Sequence, residues 1–156
     1  MKSSIKKGQI NQVFIYIMAV IIFAAIMLYG YKAIKNIMEK GNYVEYTNFK
    51  KDFENTVENS KQYGEVNIKS FSLPPGVSEI CIVDIKEPVD TTAPMLVQDA
   101  WQSKTYNVVL LPIKYDNLFV EGIKIDTPGF LCNHTSAVRS KITLRFEGSG
   151  NAVRIS

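Results

Sequence analysis

The sequence is poor in the side chains from which most active sites and metal centres are built. It has one histidine, two cysteines and one tryptophan among 156 residues. A structural zinc site draws several Cys and His ligands at close spacing, whereas Cys81 and Cys132 stand 51 residues apart and His134 is the sole histidine. No G-x-S-x-G elbow is present to supply a serine nucleophile, and no D-x-D-x-D-G loop is present to cradle calcium. Neither G-x-x-x-x-G-K-[ST] nor G-x-G-x-x-G occurs, and the GSG at Gly148 to Gly150 has the look of a turn. Acidic residues such as Asp84, Glu87, Asp90, Asp116, Glu121 and Asp126 are scattered rather than paired, which solvation of strand edges explains. Repeats and low-complexity tracts are absent. An enzyme is therefore not expected, and neither is a cofactor or a metal.

Positive charge is also missing from most of the chain. Residues 1–40 carry six lysines and one glutamate, a net of +5, while residues 41–156 carry 12 basic and 14 acidic residues, a net of −2. The overall +3 belongs to the N-terminal quarter. No basic surface made for nucleic acid is expected in the rest.

What the first quarter does have is a long apolar run. Val13 to Tyr31 reads VFIYIMAVIIFAAIMLYGY, nineteen residues without a charge. At about 1.5 Å per residue a helix of that length covers roughly 29 Å, the thickness of the hydrocarbon core of a bilayer. The run is apolar on all sides, unlike a helix lying on a soluble core. Tyr16 near one end and Tyr29 with Tyr31 near the other suit the two headgroup layers. A removable secretory signal would have a shorter apolar core and a small-x-small cleavage site, and no convincing one follows. Ile34, Ile37 and Met38 keep helical spacing between lysines, so a transmembrane helix with an extension is expected over residues 9–40, with the lipid bilayer as its partner. Lysines flank both ends, so charge alone barely orients the span.

Beyond Gly41 a separate α+β domain is expected over residues 41–156. Tyr46, Phe49, Phe53 and Val57 fall at i, i+3, i+7 and i+11, one face of an amphipathic helix between Glu45 and Tyr63, with Gly64 placed to stop it. That stripe is read as packing on a mainly antiparallel sheet. Strands are expected at Val66–Leu73, Glu79–Ile85, Tyr106–Pro112, Leu118–Ile125, Lys141–Glu147 and Ala152–Ser156, the last two forming a hairpin around GSGN. Asp90–Lys104 lacks a clean period and is read as a loop with a turn of helix near Gln98–Gln102. Trp101 is expected to anchor the core or its rim.

The stretch KKGQINQVFIYIMAVIIFAA resembles the N-terminus of archaeal type IV pilin-like proteins, in which a short basic leader ending in glycine precedes an apolar helix. The resemblance covers about thirty residues. It implies a leader at residues 1–8, with Lys6, Lys7, Gly8 and Gln9 as the processing motif and a cut between Gly8 and Gln9 on the cytoplasmic face. It also implies a pilin-like fold, other pilin-like subunits as partners through the N-terminal helix, and a minor pilus or secretion component. Many members carry a glutamate at the fifth mature position, where its charge offsets a neighbour's terminal amine; here that position is Val13. An amine left unpaired among packed apolar helices is costly, which argues against a major, self-polymerising pilin. An uncleaved single-pass anchor stands as the alternative, as does a surface receptor or adhesin that binds through Asp90–Lys104 and Pro128–Arg139. On an exported domain Cys81 and Cys132 favour a disulfide over two buried thiols. Asn133-His134-Thr135 is an N-x-Thr glycosylation pattern.

Overall fold

The computed structural model describes residues 8–90, 92–135 and 141–156. The order of elements is helix α1 (Gly8–Asn59), strands β1 (Val66–Ser72) and β2 (Glu79–Val83), helix α2 (Met95–Ser103), and strands β3 (Val108–Leu111), β4 (Ile123–Lys124), β5 (Phe130–His134), β6 (Lys141–Gly148) and β7 (Val153–Ile155). The chain divides into two compact units, Met1–Gly41 and Asn42–Ser156. The class is α+β: a long N-terminal helix followed by two sheets of mostly antiparallel strands.

The sequence reading separated a helical extension ending near Lys40 from a second helix starting near Glu45. Instead α1 is helical across Gly30 and Gly41. A helical glycine costs only about 1 kcal/mol, and no proline precedes Pro74 to interrupt the backbone hydrogen bonds. The helix also stops at Asn59, earlier than Gly64. Gly64 has another task. With φ at +78° it turns the chain into β1, donating its N–H to Gly148 O at 3.0 Å while Gly148 N–H reaches Glu65 O at 2.8 Å. Gly148 in turn lets the two segments close, because a Cβ there would stand 1.9 Å from Gln62 O.

Within the second unit the four-stranded sheet runs β1-β6-β7-β4 and the three-stranded sheet β3-β2-β5. The hairpin expected near the C-terminus is the β6–β7 pair, with Phe146 opposite Ile155. β6 shows the two-residue period plainly, with Ile142, Leu144 and Phe146 buried and Thr143 and Arg145 exposed. The expected strand Leu118–Ile125 is reduced to a bridge at Leu118 and the two-residue β4, because Gly122 at φ +84° breaks the extended run between them. Asp90–Lys104 is more ordered than the sequence reading held. It contains α2, begun at Pro94 and closed at Lys104, whose backbone is left-handed (φ 52°) and whose N–H donates to Ala100 O. β5 was missed altogether, since FLCNH has neither alternation nor β-branched residues.

The residues expected on one helical face, Tyr46, Phe49, Phe53 and Val57, are all buried. They join Phe71, Ile80, Ile82, Leu110, Leu144 and Phe146 in the main core. Phe53 is fully buried, and its ring lies 5.5 Å from that of Phe71 and 6.1 Å from that of Phe146. A smaller cluster on the other face of β2 takes Cys81, Val83 and Val109 together with Val97 and Ala100 of α2. Phe53→Ala is expected to cost about 3–5 kcal/mol, read as a lower urea midpoint for the full chain in detergent micelles.

Candidate functional site

Two regions carry the features from which a function can be argued: the apolar part of α1 in the first unit, and the disulfide-bearing sheet in the second. In the first, the large apolar side chains from Val13 to Tyr31 are exposed, and the most apolar stretch has a mean hydropathy of 2.6 with none of it buried. Each such side chain gains about 1.5–3 kcal/mol on leaving water. The helix is thus long and apolar enough to cross a membrane, by length and composition. Lysine and glutamate return only past it, as in the exposed Lys35–Glu39 pair at 3.8 Å, a contact of small energetic weight. Lys6 and Lys7 of the processing motif lie outside the described residues, and Gly8 and Gln9 fall in the first turn of α1.

In the second unit Cys81 and Cys132 form a disulfide, with Cα atoms 4.1 Å apart. The bridge follows from register: β2 and β5 pair antiparallel, and these two residues stand directly opposite one another. Main-chain hydrogen bonds at Ser78–Thr135 and Asp84–Gly129 put them at a position without ladder hydrogen bonds, where side chains approach most closely. Closing a loop of 51 residues contributes about 3–4 kcal/mol on chain-entropy grounds.

Among the described residues His134 is paired with a carboxylate. Its Nε2 lies 3.1 Å from Glu79 Oε1, and the imidazole is 75% exposed. Glu79 was not singled out from the sequence, although it stands two residues before Cys81 as His134 stands two after Cys132. Same-face spacing on two strands was the available signal. Asn133 points to the opposite face of β5, opposite Ile80, and is half-buried. Thr135 is tied down, its N–H and hydroxyl both donating to Ser78 O. The glycosylation pattern therefore lies within a hydrogen-bonded strand and its flank rather than in a free loop.

Two shallow depressions open on the unit. One, of about 370 Å³, is bordered by Asp84, Lys124, Asp126 and Arg154. Arg154 Nε is 3.3 Å from Asp126 Oδ1, and the buried Asp84 accepts N–H groups of Lys86 at 2.9 Å and Ile125 at 3.3 Å. Asp84 therefore pins the end of β2 to the strand leading from β4. The other, of about 540 Å³, lies between Glu45, Phe49 and Asp52 of α1 and Ser70 to Leu73 around β1, where Lys69 Nζ bonds Asp52 at 2.5 Å. Trp101 anchors a rim, packed on the small core while its indole N–H donates to Glu87 O at 2.8 Å. In the loop named as a second binding segment, Pro128 to Thr135 is described, and residues 136–139 are outside the described part.

Compared with protein-family models, with curated proteins and with solved structures, the chain matches none.

The strongest electrostatic perturbation sits where α1 meets the core. Tyr46 is buried, stacks on Tyr115 at 5.0 Å, and donates its hydroxyl to Asp116 O at 2.8 Å. Burial first, then the charge of Asp116, pushes its pKa up from 10.0 to about 12. The folded state thus holds a proton that the unfolded chain releases, so this contribution is present below pH 10.0 and is lost as the pH rises towards about 12. The urea midpoint is expected to fall across that window, by about 2 kcal/mol of stability, and Tyr46→Phe is expected to flatten the fall while costing about 1 kcal/mol at neutral pH.

Proposed function

We propose that the protein is a single-pass membrane protein of the pilin-like kind, a minor or accessory component that presents its α+β domain on the outer side of the cell membrane. The observation that carries this is the charge-free apolar stretch of α1, none of which is buried, followed by a folded domain with its own core. Such a stretch is stable in lipid and is costly in water. The disulfide supports an oxidising, extracytoplasmic address for the domain, since cytoplasmic thiols are kept reduced.

On this reading the leader motif Lys6, Lys7, Gly8 and Gln9 is cut after Gly8 on the cytoplasmic face, and the helix remains as anchor and as the surface that meets other pilin-like helices. Small residues at Ala24 and Ala25 allow close approach between such helices. Val13 lacks the carboxylate that would offset a neighbour's terminal amine, so the protein joins an assembly rather than building one alone. The domain acts by being held at the surface.

Mass spectrometry of the chain purified from its native membrane tests the assignment. A mass starting at Gln9 is expected; an intact Met1 would leave a plain anchor in place of a pilin-like component. Thiol labelling of intact cells with and without reductant tests the address. Labelling of the two cysteines is expected only after an impermeant reductant has been added, and cysteines that label freely inside the cell would overturn the outward orientation.

A further inference from the structure

One face of the three-stranded sheet holds a group of side chains that the anchoring role does not use. β2 and β5 pair with Glu79 opposite His134 and Cys81 opposite Cys132. Residues two apart on a strand share a face, so the four stand at the corners of one rectangle. The donor atoms of Glu79, Cys81 and Cys132 all lie within 4.8 Å of one another. Glu79 Oε1 is 3.6 Å from Cys81 Sγ and 3.1 Å from His134 Nε2. In a tetrahedral zinc site, with Zn–S about 2.3 Å and Zn–N or Zn–O about 2.0–2.1 Å, neighbouring donors are about 3.3–3.8 Å apart. The contacts of Glu79 with Cys81 and with His134 are already close to that size, whereas His134 lies outside the 4.8 Å group and its side chain must turn towards the sulfurs to join it. Burial is graded across the group: Cys81 lies in the small core beside Val109, Cys132 and Glu79 are half-buried, and His134 is open to solvent. The floor is closed and the mouth is open.

We propose that the Cys81–Cys132 disulfide is the oxidised, metal-free form of a redox-gated zinc site, which on reduction binds Zn²⁺ through Cys81 Sγ, Cys132 Sγ, a Glu79 carboxylate oxygen and His134 Nε2. The reductant is a dithiol. Its two S–H bonds break and its own S–S bond forms; the protein S–S bond takes up the two electrons and two protons and becomes two thiols. Zn²⁺ then displaces both thiol protons to solvent as the two Zn–S bonds form, with no change in the oxidation state of the metal. Exchange with a small disulfide, which accepts the two electrons and two solvent protons and becomes two thiols, restores the Cys81–Cys132 bond and releases the ion. Two thiolates and an imidazole select zinc over magnesium and calcium, which take oxygen ligands. The strand register holds both sulfurs opposite each other in either state, so only side-chain torsions need change.

The test uses the full chain in detergent micelles, reduced with a phosphine and titrated with Co²⁺ as a spectroscopic stand-in for zinc. The reduced chain is expected to bind one equivalent, with a thiolate-to-cobalt charge-transfer band and the strong visible bands of a tetrahedral ion, and Zn²⁺ is expected to displace it. The oxidised chain is expected to show none of these. His134→Ala and Glu79→Gln are each expected to weaken binding by about 10-fold or more, and Cys132→Ser to abolish stoichiometric binding. Circular dichroism on the same samples follows the fold, since reduction also removes a crosslink: metal is expected to raise the unfolding temperature of the reduced chain, or to refold it. A reduced chain that gives no cobalt bands, whether folded or left unfolded by the metal, overturns the proposal. So does binding that either single substitution at His134 or Glu79 leaves unchanged.

Discussion

Apolar surface on α1 must be kept from water, and the helix presents two different problems of that kind. Up to Tyr31 the apolar side chains point in every direction, and no face of a single protein layer can cover them. From Tyr46 onward they narrow to one stripe, and a protein layer covers it completely: Tyr46, Phe49, Phe53 and Val57 are all buried. The second solution builds the domain. Phe49 and Phe53 meet Phe71 from β1, and Phe53 also meets Phe146 from β6, so tilted and edge-to-face ring contacts join the helix to the four-stranded sheet. The first stretch is left uncovered by the described residues, and it is there that the proposed function begins, with a membrane as the apolar medium.

β2 is the strand on which the two cores of the domain lean. Ile80 and Ile82 face the main core, while Cys81 and Val83 face the smaller one under α2, so the strand is buried on both sides and reads as the unbroken run EICIV. A strand in that position has its register set twice over, because a slip of one residue would exchange both faces. That fixed register places Cys81 against Cys132 and Glu79 against His134. The disulfide, the Glu79–His134 contact beside it and the proposed zinc site therefore share one cause, the pairing of β2 with β5.

The polar groups of the second unit mostly serve architecture. Asn107 exchanges two hydrogen bonds with the main chain of Val120, and Asp84 accepts two backbone N–H groups across a strand end. Both are buried: Asn107 satisfies the main chain of Val120 in the irregular segment between β3 and β4, and Asp84 that of Lys86 and Ile125 just beyond β2 and β4. The charged depression next to Asp84 is likewise crossed by the Arg154–Asp126 pair.

The sequence by itself determined the apolar run, the helical stripe and the terminal hairpin. Each is encoded in neighbours a few residues apart: absence of charge over nineteen positions, a repeat near 3.6 residues, and alternation on both sides of GSGN. Other features were decided only when distant segments met. β5 is a strand because β2 lies beside it, not because FLCNH favours one. α2 was legible in part, since Pro94 could mark its start, yet its face of Val97 and Ala100 gains meaning only over Val109 and Val83. The partnership of Glu79 with His134 was invisible for the same reason as the strand that carries it. Local pattern records which way a side chain can point, whereas register across a sheet is settled by burial on both faces of a strand, and that is a property of the assembled core.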